Sequence, residues 1–252
     1  MTAVQAPLLT YRASGNAPVL IAFAMIIAWA VVVTFGAVFM PWTTSGSIWI
    51  WLSRLALIAL ETHLYAGLFI VAHESMHRLA APGRPRLNNL LGRAALFLYG
   101  GFRLAPLLVA HGDHHTFPAS ERDPDWSAKG PALWFVGFIL RHSTVVNIFY
   151  FALIDLLLFT VGRGVDGYIF GVVIPAVLSA GQLFWFGTYL PHKQREGGYN
   201  EQRAVSQDFP RWLSYLTCYH FGYHYEHHAM PWVPWWKMPN ARAAALRLRE
   251  IK

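Results

Sequence analysis

The sequence predicts an all-α integral membrane protein: about four transmembrane helices with a cytoplasmic helical cap that holds a histidine-rich metal site. Three observations predict it. Apolar runs reach the roughly 20 residues that a helix needs to cross a bilayer. The chain is 55% hydrophobic and 13% charged, against roughly 25% charged in a soluble domain. Eight histidines gather in three short clusters that lie outside those apolar runs.

Taken in order, residues 19–39 carry no charge and form the first expected span. The preceding stretch to Pro18 is mixed polar, and the run is longer than the roughly 7–15 apolar residues of a signal peptide, so it reads as a span. Residues 48–72 form the second, despite Arg54, Glu61 and His63. Residues 94–110 are apolar but contain Arg103, Pro106 and the pair Gly100-Gly101, which suggests a short re-entrant or interfacial element. Residues 133–161 form the third span, long enough to be tilted or broken near Arg141 and His142, and residues 168–190 the fourth. A single domain over 1–252 is the simplest organisation, with cytoplasmic segments at 73–130 and 191–252.

Charge orients the spans. Of 20 Lys and Arg, seven lie in 73–130 and nine after Leu190, whereas the 40–47 connection has none and the 162–167 turn only Arg163. The positive-inside rule places both basic segments, and with them both termini, in the cytoplasm. All three clusters fall on that side. The single cysteine, Cys218, excludes an intramolecular disulfide, as suits a reducing compartment, and reads as a packing residue. The net charge of +7 reflects topology and anionic lipid; no nucleic-acid partner is expected.

The clusters carry the chemistry. They are His73-x3-His77, His111-x2-His114-His115 and His224-x2-His227-His228. On a helix, residues three or four apart share a face, so each cluster can aim its imidazoles at one point. Neutral imidazole binds iron, zinc, copper and nickel. Eight are more than one ion can use, which makes a dinuclear, histidine-only iron site the economical reading. His73-Glu74-x-x-His77 is also literally the zinc metalloprotease signature, but a catalytic zinc needs three protein ligands and would leave most of the clustered histidines idle. A haem or metal-transport protein is a third class, poorly suited to adjacent His-His pairs. His63 and His142 read as polar residues paired inside the bundle.

These boxes resemble those of the membrane fatty acid desaturase and hydroxylase superfamily, oxygen-using di-iron enzymes. The stretches LYAGLFIVAHESMH (64–77), HGDHHTFPASERDPD (111–125), FGTYLPHK (186–193) and LTCYHFGYHYEHH (216–228) are similar to the bacterial β-carotene 4-ketolases. Glu74 stands where Asp is common in that family, and Tyr225 where His is common. The resemblance implies that His73, His77, His111, His114, His115, His224, His227 and His228 are iron ligands. His192, after the fourth span, is implied as a ninth. His220, one helical turn before His224, is a candidate tenth ligand or supporting residue. Among nearby carboxylates, Asp123 and Asp125 are favoured over Glu74, Asp113 and Glu226 to orient ligand imidazoles.

The same resemblance implies a multi-pass enzyme of the cell inner membrane that uses two iron ions and molecular oxygen. It would introduce a keto group at C4 of the β-ionone ring of β-carotene by two hydroxylations and loss of water. A carotenoid hydroxylase or fatty acid desaturase is the alternative within this chemistry. The chain has no dinucleotide-binding fingerprint, haem-attachment motif or cysteine cluster, so electrons must come from outside. A ferredoxin steered by the basic face is the expected donor, and the carotenoid would enter from the bilayer.

Overall fold

The computed structural model describes residues 14–43, 45–161 and 164–250, and among these every regular element is helical. The polar stretch before the first span lies outside them up to residue 13, as does Arg163 of the short turn. Helix α1 is Ala17–Val38, α2 Ile48–Met76, α3 Pro85–Gly100, α4 Leu104–Thr116, α5 Pro131–His142 and α6 Val145–Thr160. Helix α7 runs over Val165–His192. Three short helices follow: α8 Arg211–Cys218, α9 His224–Ala229 and α10 Met238–Glu250.

Helices α1, α2 and α7 are each long and apolar enough to cross a membrane, and up to five spans result if each bent pair counts as one. The faces of these helices suit lipid. On α6, Val145, Ile148, Phe149 and Phe159 are all at least two-thirds exposed, a patch that only an apolar solvent would tolerate. The protein is an all-α membrane protein.

Helix α2 is the central element. Its Tyr65, Ala66, Leu68 and Ile70 are essentially inaccessible, packed among α1, α3 and α7. Its 29 residues span about 43 Å at 1.5 Å per residue, more than the roughly 30 Å hydrocarbon thickness. The excess carries His73 and His77 past the end of the predicted span. At its other end the buried Arg54 donates from Nε to the Pro41 carbonyl at 3.0 Å, which fastens the α1–α2 connection. Lipid offers little hydrophobic drive between helices, so their association rests on close fit. Gly167 and Gly171 of α7 lie against the backbone of Ala37 in α1, where any Cβ would collide.

Two of the expected apolar elements are bent. The apolar stretch 94–110 divides into the end of α3 and most of α4, which meet at a 100° bend. Gly101 supplies the left-handed residue (φ 75°) that closes α3. The Gly101 amide reaches the Phe97 carbonyl and the Phe102 amide the Leu96 carbonyl, a Schellman-type end that satisfies orphan carbonyls. The stretch 133–161 is also two helices, α5 and α6, bent by 86°, with Ser143 and Thr144 extended between them. Asn147 ties the two bends together: its Oδ1 accepts the Thr144 amide at 2.7 Å, and its Nδ2 donates to the Gly100 carbonyl at 2.7 Å.

Candidate metal centre

The nine histidines expected as ligands come together, in two neighbouring groups. His73, His77, His111, His115 and His227 form one; His114, His192, His224 and His228 form the other. Within each group one nitrogen from every ring lies within 4.8 Å of the others. Each His-x2-His-His cluster is divided between the groups. On α4, His111 and His115 are one turn apart and face the first group while His114 faces the second; on α9, His224 and His228 face the second group while His227 faces the first. The groups adjoin, since the rings of His115 and His228 stack with centroids 4.4 Å apart.

The contacts between these rings require an explanation. Nε2 of His77 and His111 approach to 2.7 Å, of His115 and His227 to 3.0 Å, of His224 and His228 to 3.1 Å, and of His114 and His228 to 3.2 Å. His73 Nε2 and His192 Nε2, one from each group, are buried with no hydrogen-bond partner among the described residues. An unpaired buried polar atom is costly, and so is a lone pair facing another lone pair. Converging neutral nitrogens fit a cation in each group, and the donor set, imidazole alone, suits iron or another first-row metal. Burial, followed by the neighbouring imidazoles, holds His224, His227 and His228 well below the usual imidazole pKa, so these rings stay in the neutral, ligating form.

The far side of several rings is fixed as well. His192 Nδ1 donates to the Arg203 carbonyl at 2.9 Å, and His224 Nδ1 faces the Phe221 carbonyl at 3.3 Å. Both oxygens of the buried Asp123 lie 3.0 Å from His114 Nδ1. Such a partner sets the tautomer and leaves Nε2 for the metal. Asp123 is itself held by the amides of Ala119 and Asp125, at 2.9 and 2.8 Å. Asp125 has a different partner, His142 Nε2 at 2.7 Å. Burial would raise the Asp125 carboxyl, but the His142 hydrogen bond and nearby histidines outweigh it and hold the group below its ordinary value.

His220 does not join the site. The expectation rested on a helix continuous from residue 220 to 224, whereas α8 ends at Cys218 and both Tyr219 (φ 48°) and His220 (φ 62°) are left-handed. The reversal turns His220 toward Ser214 Oγ, 3.2 Å away, and stacks it on Tyr223. Burial and then Arg211 lower its pKa to about 4. His63 likewise stacks on Tyr219, at 4.2 Å between centroids. Asp113 is exposed. Glu226 faces away from the rings and binds Arg242 at 3.1 Å and Ser206. Glu74 accepts the Trp235 amide at 3.4 Å and stands outside both groups.

A cleft opens on the centre. It has about 930 Å³ of empty space, its open mouth included, and its walls come from α2, α3, α4, α5, α7 and the α8–α9 segment. His73, His111, His114 and His224 are exposed to it; most of the remaining lining is apolar, including Phe69, Leu96, Phe102, Phe138 and Leu183. Helix α7 contributes through a π-helical turn, Phe184–Tyr189, of the kind often found at functional sites. It brings Gly187 and Thr188 to the cleft wall just before His192. A Cβ at Gly187 would overlap the Phe221 ring, which packs on His73 and His224. The Phe221 contact was not expected from sequence; a paired His142 was, and the structure gives it Asp125, which was expected instead behind a ligand imidazole.

Fold and site together define a helical membrane protein with two adjoining all-histidine groups, able to hold metal, beneath an apolar cleft. Residues 144–250 match the fatty acid desaturase family. The chain is 37% identical over 225 residues to a β-carotene ketolase of Paracoccus sp. (strain PC1), covering 82% of this chain and 89% of that one. A β-carotene ketolase of Paracoccus sp. (strain N81106 / MBIC 01143) is 37% identical over 192 residues, 72% and 76% of the two chains. A zeaxanthin 4-ketolase of Chlamydomonas reinhardtii is 34% identical over 238 residues, 89% and 53%. The chain belongs to the β-carotene ketolase family.

Proposed function

We propose that this protein is a β-carotene 4-ketolase, with the nine imidazoles of His73, His77, His111, His114, His115, His192, His224, His227 and His228 holding two iron ions. The observation that carries the reading is the juxtaposition of two all-histidine groups with an apolar cleft, a combination that suits oxidation of a hydrocarbon. Bound iron supplies the oxidising power that side chains lack: with oxygen, two electrons and two protons, one C–H becomes C–OH and one water is released. Two such events at C4 give a geminal diol, which loses water to the ketone.

The chain's own residues account for the rest. Phe69, Leu96 and Phe102 line the path by which a ring end reaches His73 and His111, and they exclude water from it. Asp123 holds the proton of His114 at Nδ1, and the Arg203 carbonyl does the same for His192, so both rings turn Nε2 toward the metal. Glu74 has no such place. A zinc protease would need it at the metal as general base, and its engagement with the Trp235 backbone disfavours that alternative.

The basic segments 73–130 and 191–252 support, by the positive-inside rule, a centre at the cytoplasmic face of the inner membrane, within reach of a soluble reductant. An acidic ferredoxin is the donor that this charge suits. Expression in a bacterium that accumulates β-carotene tests the function directly. Echinenone or canthaxanthin is the expected product; zeaxanthin would replace ketolation by ring hydroxylation, and unchanged β-carotene would overturn the proposal.

A further inference from the structure

A hydrocarbon needs no polar group to bind it, yet the cleft carries one strongly polar pair that is not among the nine clustered histidines. Asp125 from the loop after α4 and His142 at the end of α5 both line the cleft, joined by the 2.7 Å contact between His142 Nε2 and Asp125 Oδ1. The pair is built in firmly. Trp134 Nε1 donates to the Asp125 carbonyl and Arg141 to the Pro124 carbonyl, each at 2.7 Å, and the His142 ring packs edge-on against Phe138. Through its amide, Asp125 also touches Asp123, the carboxylate behind His114.

Such a pair is expensive to desolvate. With Nε2–H of His142 donated to Asp125 Oδ1, the other carboxylate oxygen, Oδ2, remains as an acceptor. Among the described residues this oxygen has no hydrogen bond. The pair therefore keeps a carboxylate acceptor to offer a ligand. A CH₂ group offers it nothing, a ketone is itself only an acceptor, and an alcohol can donate.

We propose that Asp125 and His142 form a polar clamp that recognises the 4-hydroxy intermediate, holding it for the second oxidation at the same carbon and releasing the ketone. The inference rests on the ketolase reading. It assigns both residues a positioning role, in which the alcohol O–H donates to the clamp and the remaining C4 hydrogen stays toward the histidine centre.

The test is a competition between β-carotene and synthetic 4-hydroxy-β-carotene for the full-length protein in membranes, with iron content measured in parallel. Wild type is expected to favour the alcohol. His142→Phe, which keeps an aromatic ring but removes both nitrogens, should lower that preference about tenfold or more, the loss expected for a hydrogen bond in a buried polar site. Asp125→Asn should lower it in the same direction, and carries the test if the Phe variant does not accumulate. A merely structural role would reduce turnover of both pigments equally and leave the preference unchanged, which would overturn the clamp alone. A wild-type protein that converts neither pigment would overturn the ketolase reading and the clamp with it.

Discussion

Asp123 grips His114 from behind. Both carboxylate oxygens lie 3.0 Å from His114 Nδ1, while the same oxygens receive the Ala119 and Asp125 amides. A single buried carboxylate thus shapes the loop after α4 and sets the tautomer of one imidazole at the centre.

Asp123→Asn keeps the shape but offers only one acceptor oxygen. It is expected to weaken metal retention roughly 10- to 100-fold, the usual cost of losing such a partner. Chelator titration of the purified protein measures it. Metal retention equal to wild type would mean that Asp123 serves the loop alone.

His192 lies outside all the local clusters, yet its Nε2 is buried among His114, His224 and His228. Wild type should retain about two iron ions per chain, whereas His192→Ala should lose metal from that group and most ketone formation. Lys193→Ala and His220→Ala should retain both. Iron analysis of the four proteins decides it; a metal-free His220→Ala protein would reinstate that residue as a ligand.

Glu74→Gln distinguishes the two enzyme classes written in the same residues. Because Glu74 meets the Trp235 backbone, the oxygenase reading expects ketone formation to continue. Abolished activity with full iron content would show that the carboxylate takes part in the chemistry.

At Gly187 there is no room for a side chain beside Phe221, and Phe221 in turn packs on His73 and His224. Gly187→Val should push that ring toward the histidines, at an overpacking cost of about 1–3 kcal/mol. The expected readout is a fall in activity larger than the fall in protein accumulation. Normal turnover would show that Phe221 can rotate away at no cost to the site.

Topology is tested with reporters. One fused after Lys252 should be cytoplasmic and one inserted between Thr43 and Ser47 outside, as the concentration of Lys and Arg in 73–130 and 191–252 requires. The reverse pattern would separate the histidines from cytoplasmic reductants.

The apolar helices and the ligand-type histidines were legible because both are local patterns. A run of apolar residues declares a helix in lipid wherever it lies, and His-x2-His-His declares a ligand-bearing face through the helical period alone. His192 was legible only through likeness to a family, since nothing around it repeats. Tertiary structure alone decided the rest. The division of each His-x2-His-His between two groups depends on how α2, α4, α7 and α9 meet, and pairs such as His114 and His228 stand 114 residues apart. The sequence marked the bends at Gly100-Gly101 and beside His142, but that Asn147 holds both, through a contact across 47 residues, no periodicity contains. His220 was lost to the site by two left-handed residues that end a helix the histidine spacing had extended. Periodicity fixes which face of a helix a side chain occupies; only packing fixes what that face meets.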